Sequence, residues 1–248
     1  MKRFLVTAWL TILCFLLLAN AHAWDVPSHI RMIGGVRMWF TVLEGDLIQP
    51  DRARVDLNDN MGIPEDVLVW DFFTSVRVCN FHVFRLRGEP VTSYESKNES
   101  FVKIWYLQAG YDLDFYMSPQ ALLGANVDLN ITNYNTDVRN VAVGGNVYNY
   151  HDSQTLTLPQ IGLHATFYPI LDDIALRPNI SGRFNWWNYA DRESWDWEVA
   201  TAVDIPVNRL WTWSVAGGYR YWHTKFKRER DTLDINRMGF FVESSLLF

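Results

Sequence analysis

Cysteine is scarce. Two in 248 residues, Cys14 and Cys79, leave no room for a disulfide framework. Low-complexity tracts are missing, and with 49% hydrophobic residues the chain has ample apolar content, which excludes disorder. Glycine, at 14 residues, is too rare for a collagen-like chain. A basic excess is missing too: 22 Lys and Arg stand against 28 Asp and Glu, which argues against a nucleic-acid partner. A mean hydropathy of −0.09 excludes a helical membrane protein. Past Ile33 no stretch keeps apolar residues at i, i+3, i+4 and i+7 for three turns, so amphipathic helices are not expected. No Gly-x-Ser-x-Gly segment is present, so a nucleophile elbow has no support. Aromatic residues are plentiful instead, with 12 Trp, 11 Tyr and 15 Phe. Where those rings go is the question the sequence poses.

The first 23 residues are expected to be a cleaved signal peptide. Met1-Lys2-Arg3 is a positive start, Phe4 to Leu18 is an almost unbroken apolar run, and Ala21-His22-Ala23 is a small-x-small cleavage site ahead of Trp24. The run is short for a spanning helix. Ile12 and Leu13 do not suit a lipoprotein site at Cys14. Cleavage would leave Cys79 as the sole cysteine and a net charge of −8, from 20 basic and 28 acidic residues.

The remaining chain reads with a period of two. Ten alternating runs are expected, at 32–43, 68–78, 81–90, 100–115, 120–133, 155–168, 174–187, 194–205, 209–226 and 237–248. Many exceed the five or six residues usual for soluble strands. Longer connections (44–67, 91–99, 134–154, 188–193, 227–236) alternate with short ones at Cys79-Asn80, Tyr116 to Pro119, Pro169 to Asp173 and Pro206 to Asn208. Joining 68–88 into one strand would make the count odd and break that alternation. An all-β, closed, antiparallel up-and-down transmembrane β-barrel gives such a rhythm, here with ten strands, eight being possible. Residues 24–248 would form that single domain.

Alternation alone also fits a soluble sandwich, whose apolar face is its core. Ring placement separates the two. With strand directions taken from the loop rhythm, Trp70, Trp105, Trp186, Trp195, Trp197 and Tyr221 gather near the outer rim. Phe115, Tyr168, Trp211, Trp213 and Phe248 gather near the periplasmic rim. Smaller aliphatics such as Val199, Val215, Ala125 and Leu107 lie between. Such girdles suit bilayer interfaces, because Tyr and Trp are apolar bodies with one polar atom. The opposite, lumen-facing side carries the acids Asp71, Asp112, Asp114, Asp128, Asp196, Glu198, Asp204 and Glu243. With them stand Arg37, Arg77, Arg85, Arg87, Arg177, Arg183 and Arg220, and His164.

The chain ends Phe240-Phe241-Val242-Glu243-Ser244-Ser245-Leu246-Leu247-Phe248, with Phe240, Val242 and Leu246 on the face of the terminal aromatic residue. This ending resembles the signal by which bacterial outer-membrane barrels reach their insertion machinery. Together with the leader, the hairpin rhythm and Gly217-Gly218-Tyr219-Arg220-Tyr221, it is similar to small outer-membrane β-barrels, OmpA-like or of the ten-stranded size class. The resemblance spans essentially the whole mature chain but matches no particular member. It implies an outer-membrane location, contact with lipid and lipopolysaccharide, and insertion through Phe248.

The function expected from these readings is structural. Near-equal numbers of luminal acids and arginines suggest ion pairs that cross and largely plug a narrow bore, because an unpaired charge there is costly. The protein would then be non-enzymatic, without cofactor or metal, serving envelope integrity or surface interaction. A narrow channel is one alternative. A hydrolase using rim carboxylates and a His is another: His151-Asp152 and Asp191, Arg192 and Glu193 lie in expected outer loops, as in the ten-stranded outer-membrane proteases. Asp56-Leu57-Asn58-Asp59-Asn60-Met61-Gly62 has a calcium-loop flavour, but its Gly is one place late and no Glu stands twelfth. A solvated acidic turn is the plainer expectation. Lys225, Lys227, Arg228 and Arg230 form a basic stretch near the outer rim, suited to lipopolysaccharide phosphate or to water.

Overall fold

A computed structural model describes residues 30–248 apart from 49–53, 64–65, 80, 98, 169–174, 186–191, 209 and 229–230. The leader with its cleavage site, and Trp186, Asp191 and Arg230, therefore lie outside the described residues.

The strands are β1 (Ile30–Ile48), β2 (Arg54–Asp56), β3 (Asp66–Val78), β4 (His82–Glu95), β5 (Phe101–Met117), β6 (Ala121–Val143), β7 (Asn146–Phe167), β8 (Ala175–Asn185), β9 (Arg192–Pro206), β10 (Thr212–Arg228) and β11 (Asp231–Leu247). Every neighbouring pair is antiparallel, in the order β11-β10-β9-β8-β7-β6-β5-β4-β3-β1, and β11 pairs with β1 to close a ten-stranded up-and-down barrel. The closing ladder runs from Ile33↔Leu247 to Ile48↔Thr232. Phe248 extends it, donating its N–H to Met32 O at 2.9 Å and accepting from Met32 N at 2.7 Å. Closure leaves neither edge of the barrel unpaired, as a sheet surrounded by lipid requires. The short β2 stands outside the ten. It folds back on the top of β1, Asp46↔Asp56 to Ile48↔Arg54.

The expected strands are all present, and most are longer than expected. The largest extension is the β6–β7 hairpin. It continues through the expected loop 134–154 to a two-residue turn at Gly144-Gly145. Both glycines have positive φ, 58° and 84°, the backbone such a turn demands of its central pair. His151 and Asp152 thus lie on a strand, not in a loop, and side chains of consecutive strand residues point to opposite faces.

Polarity inverts along these long strands. In the lower part of β6, Val127 and Leu129 face outward and are exposed, while Asn126, Asp128 and Asn130 face the bore and are buried. In the upper part the buried apolar residues are Tyr134, Val138 and Val141, with Thr132, Thr136 and Asp137 buried beside them. On β7 Leu163 is exposed, whereas Leu156 and Leu158, nearer the top, are buried. The same inversion places Leu43, Leu47, Val102, Ile104, Phe226, Leu233 and Ile235 inside the upper bore.

Residues 54–63 complete that upper core. Val55, Leu57 and Met61 are fully buried and Ile63 nearly so. The expected solvated turn is instead a lid packed onto the upper bore. Arg54 staples it to β1 through Nε and Nη2 on Asp46, at 2.6 and 2.5 Å. Many rings are likewise inside rather than at the lipid face: Trp39, Tyr94, Tyr106, Trp222 and Phe241 are at most 2% exposed.

Candidate functional site

The bore below the apolar core is occupied by charged side chains that alternation brings from almost every strand. Eleven of them form one alternating chain of acids and arginines. Glu243 on β11 meets Arg37 on β1 at 2.6 Å, and Arg37 meets Glu198 on β9 at 2.5 Å. Glu198 meets Arg87 on β4 at 3.5 Å, and Arg87 pairs closely with Asp71 on β3. Asp71 lies 3.4 Å from Arg220 on β10, whose Nε and Nη2 hold Asp196 on β9 at 2.9 and 3.0 Å. Asp196 and Asp128 on β6 share Arg183 on β8 at 3.4 and 2.8 Å. Asp128 and Asp112 on β5 share Arg85 on β4 at 3.0 and 2.7 Å. The chain touches nine of the ten barrel strands, so it spans the bore rather than lining one wall.

Smaller groups flank it. Toward the end with the short connections, Asp114 holds both Arg77 and His164, the latter at 2.7 Å. Arg177 pairs with Asp204 at 3.1 Å and donates to Ser214 Oγ at 3.1 Å. The acids and arginines of these groups each stand in an ion pair, and His164 Nε2 lies within hydrogen-bond distance of Asp114 Oδ1.

The sequence reading missed a further pair. Arg237 on β11 holds both oxygens of Glu89 on β4 at 2.9 and 3.0 Å, with the two side chains 1% and 0% exposed. Its guanidinium stacks among Trp39 at 4.8 Å, Trp222 at 5.1 Å and Tyr94 at 5.9 Å. Arg220 sits against Trp39 at 4.8 Å and against Tyr106 and Trp222 at 5.5 Å, and Tyr106 donates its O–H to Asp71 at 2.8 Å. Rings thus grade the charged layer into the apolar one. Glu89 was within reach of the alternation Arg85, Arg87, Glu89, and Arg237 of Glu243, Phe241, Gly239, Arg237. Both lie at the very ends of the expected strands, where inward direction is hardest to assign.

Arginine suits this layer because its planar fork donates to two acids at once, whereas a lysine offers a point charge. Glycines make room. A Cβ on Gly110 would stand 1.8 Å from Asp128 Oδ1, and one on Gly124 would stand 2.3 Å from the His164 ring. The network needs those two wall positions bare.

Elsewhere the expected candidates resolve differently. Asp56 Oδ1 accepts the N–H groups of Asn58 and Asp59, each at 2.8 Å, and Asn60 Oδ1 accepts Asp56 N–H at 2.8 Å. Those oxygens cap the lid's own turn. Among the described residues no cluster of three His, Cys, Asp or Glu could hold a metal ion. His151 is largely exposed and its carboxylate neighbour is Asp137, at 3.8 Å. Lys225 lies 3.5 Å from Asp234, so part of the basic stretch is compensated. Trp70, Trp195 and Trp197 are exposed toward the tops of their strands, and Phe115, Tyr168 and Trp213 toward the other end. Trp197 stacks on Tyr221 at 5.7 Å and Trp211 meets Phe248 at 5.0 Å. Trp105 faces outward between buried Ile104 and Tyr106. Exposed rings are not confined to strand ends: Phe40 and Phe240 pair across the closing ladder at mid-strand.

No protein-family model matches the chain, and comparison with curated protein sequences finds no match. Solved structures do match in shape. The outer membrane protease OmpT from Escherichia coli superposes with a TM-score of 0.51 at 9% identity, over 92% of this chain and 99% of that one. A FadL homologue from Pseudomonas aeruginosa gives 0.35 at 10% identity, over 89% and 90% of the two chains. The toluene transporter TodX of Pseudomonas putida gives 0.35 at 7% identity, over 90% of each. At such identities the likeness to OmpT is one of fold: a closed antiparallel barrel of the bacterial outer-membrane kind.

Proposed function

We propose that the protein is an integral outer-membrane barrel with a closed bore, serving envelope integrity or surface interaction rather than transport or catalysis. One observation carries this reading: the eleven-member chain of ion pairs crosses the bore, and an apolar core capped by residues 54–63 sits above it. An ion crossing the bore would have to break buried pairs and then traverse hydrocarbon, each step costing several kcal/mol. The leader, the lipid-facing rings acting as interfacial girdles, and the terminal Phe248 as insertion signal support export, membrane seating and delivery. Lipopolysaccharide would be the neighbour in the outer leaflet.

The arrangement favours this reading over its alternatives. A narrow channel would need a continuous wet path, and both layers oppose one. A rim hydrolase built on His151 and Asp152 is disfavoured because the two side chains leave the strand on opposite faces. Reconstitution in planar bilayers tests the proposal. We expect a flat baseline; steady, salt-dependent single-channel steps from the purified protein would replace the closed barrel with a channel. Turnover of lipopolysaccharide or peptides, abolished by Asp152→Ala, would replace it with an enzyme.

A further inference from the structure

The upper part of β7 has a partner on one edge only. β6 pairs with β7 along its length, but β8 pairs with it only from Gln160 to Thr166, and no other described strand lies beside it. One bond lower down shows which backbone groups this leaves open. Tyr168 donates its N–H to the Gln120 carbonyl, so on β7 the even-numbered residues turn their backbone groups toward β6 and the odd-numbered ones turn theirs away. The N–H and C=O groups of His151, Ser153, Thr155 and Thr157 therefore point away from β6 with no backbone partner among the described residues, and all four residues are exposed. Pro159 marks the foot of this edge. Its nitrogen, which has no hydrogen to donate, faces the same way, the orientation in which a strand tolerates proline.

The chain itself offers no cover for the whole edge. Six residues join Asn185 to Arg192 and must rise and return, so they climb at most about three residues, a height of about 10 Å, above Gln160. That stops at Thr157 and leaves 151–155 beyond reach. The β10–β11 hairpin meets the inner face of β7, where Phe226, Asp231 and Leu233 share a small pocket with Tyr150, Asp152 and Gln154, and not its edge. A second copy does not fit either. Two barrels seated in one membrane point the same way, so a two-fold axis along the membrane normal would cross β7 on its copy at twice the strand tilt, about 70–90°, too steep for a ladder. What fits is a separate extended polypeptide whose backbone supplies the missing donors and acceptors. The outward side chains along the edge are small or β-branched at Ser153, Thr155 and Thr157, and the one ionisable group among them, His151, has Asp137 3.8 Å away. An uncharged segment rich in Thr and Val matches such rungs.

We propose that β7 takes an extended, uncharged, β-branched peptide as an added antiparallel strand along 151–157, in the line that β8 leaves, above the membrane. The inference deepens the surface-interaction reading above and rests on the barrel standing in a membrane with this end outside, though not on a closed bore.

Amide hydrogen exchange, followed by NMR on the intact barrel in detergent micelles, tests the edge itself. Without peptide, the amides of His151, Ser153, Thr155 and Thr157 should exchange at least about tenfold faster than those of Gln154, Leu156 and Leu158, which face β6. Fluorescence polarisation then uses a labelled Ser-Thr-Val-Thr-Val-Thr-Ser peptide. We expect saturable binding, slowed exchange of the four edge amides, and at least about tenfold weaker binding when every peptide nitrogen is methylated. Thr155→Pro removes an edge donor without touching the β6 ladder and should weaken binding about tenfold, whereas Thr155→Val keeps the backbone and should bind within about twofold of the parent. Ser153→Pro serves should Thr155→Pro fail to fold, and heat-modifiable migration reports folding for each. The proposal is overturned if the four amides are already slow in the free barrel, if the labelled peptide shows no saturable binding, if the methylated peptide binds as well, or if folded Thr155→Pro and Ser153→Pro both bind like the parent. Those outcomes leave the membrane reading standing; failure of the parent to sediment with outer membrane would overturn that reading and this inference with it.

Discussion

Single residues in this barrel answer to two opposite rules, depending on face and height. Val199 is 45% exposed on the outward face of β9, level with the luminal network. Val199→Arg should destabilise the protein by about 2–4 kcal/mol in lipid, as cations at mid-membrane do. Thr155 is also outward and exposed, but stands on the upper part of β7 where the buried face is apolar. Thr155→Arg should change stability by no more than about 0.5 kcal/mol. Urea unfolding in lipid vesicles measures both, and equal costs would place the membrane boundary wrongly. Within the bore, Glu198 is shared by Arg37 and Arg87. Glu198→Gln leaves buried charge uncompensated and should cost about 3–5 kcal/mol in the same assay.

Elements show why some of the structure was readable and some was not. Through the lower barrel, outward apolar and inward polar residues alternate with one phase, and strands 120–133, 194–205 and 209–226 stand out from sequence. Where the strands leave that zone the phase reverses: on β6 outward Leu129 and Ile131 give way to inward Tyr134 and Val138. Any window across the reversal mixes both phases, so the upper β6 and β7 look like a loop. The bulge between Glu89 and Thr92 does the same on β4, turning Tyr94 inward although Glu89 is inward as well. The lid 54–63 was hidden for a different reason. Its turn is capped by Asp56, Asn58 and Asn60, which read as water-loving, while only Val55, Leu57, Met61 and Ile63 reach the core. Replacing 54–63 by a Gly-Ser linker should keep the heat-modifiable folded barrel and still give no conductance in planar bilayers, because the ion-pair layer beneath remains. Channel steps from that variant would assign closure to the lid alone.

At the scale of the whole molecule, the barrel joins a membrane-type lower half, polar within and apolar without, to an upper half built like a water-soluble protein. That construction predicts faster gel migration unboiled than boiled and co-sedimentation with outer membrane; a soluble, heat-insensitive product would contradict it. The strand number and the closed up-and-down architecture follow from the sequence alone, because a period of two and an even hairpin rhythm are local properties of the chain. Which acid meets which arginine does not: Arg37 and Glu198 are 161 residues apart, and Arg237 and Glu89 are 148 apart. Those pairings and the inward fold of the lid are contacts between distant parts of the chain, and only the closed tertiary structure sets them.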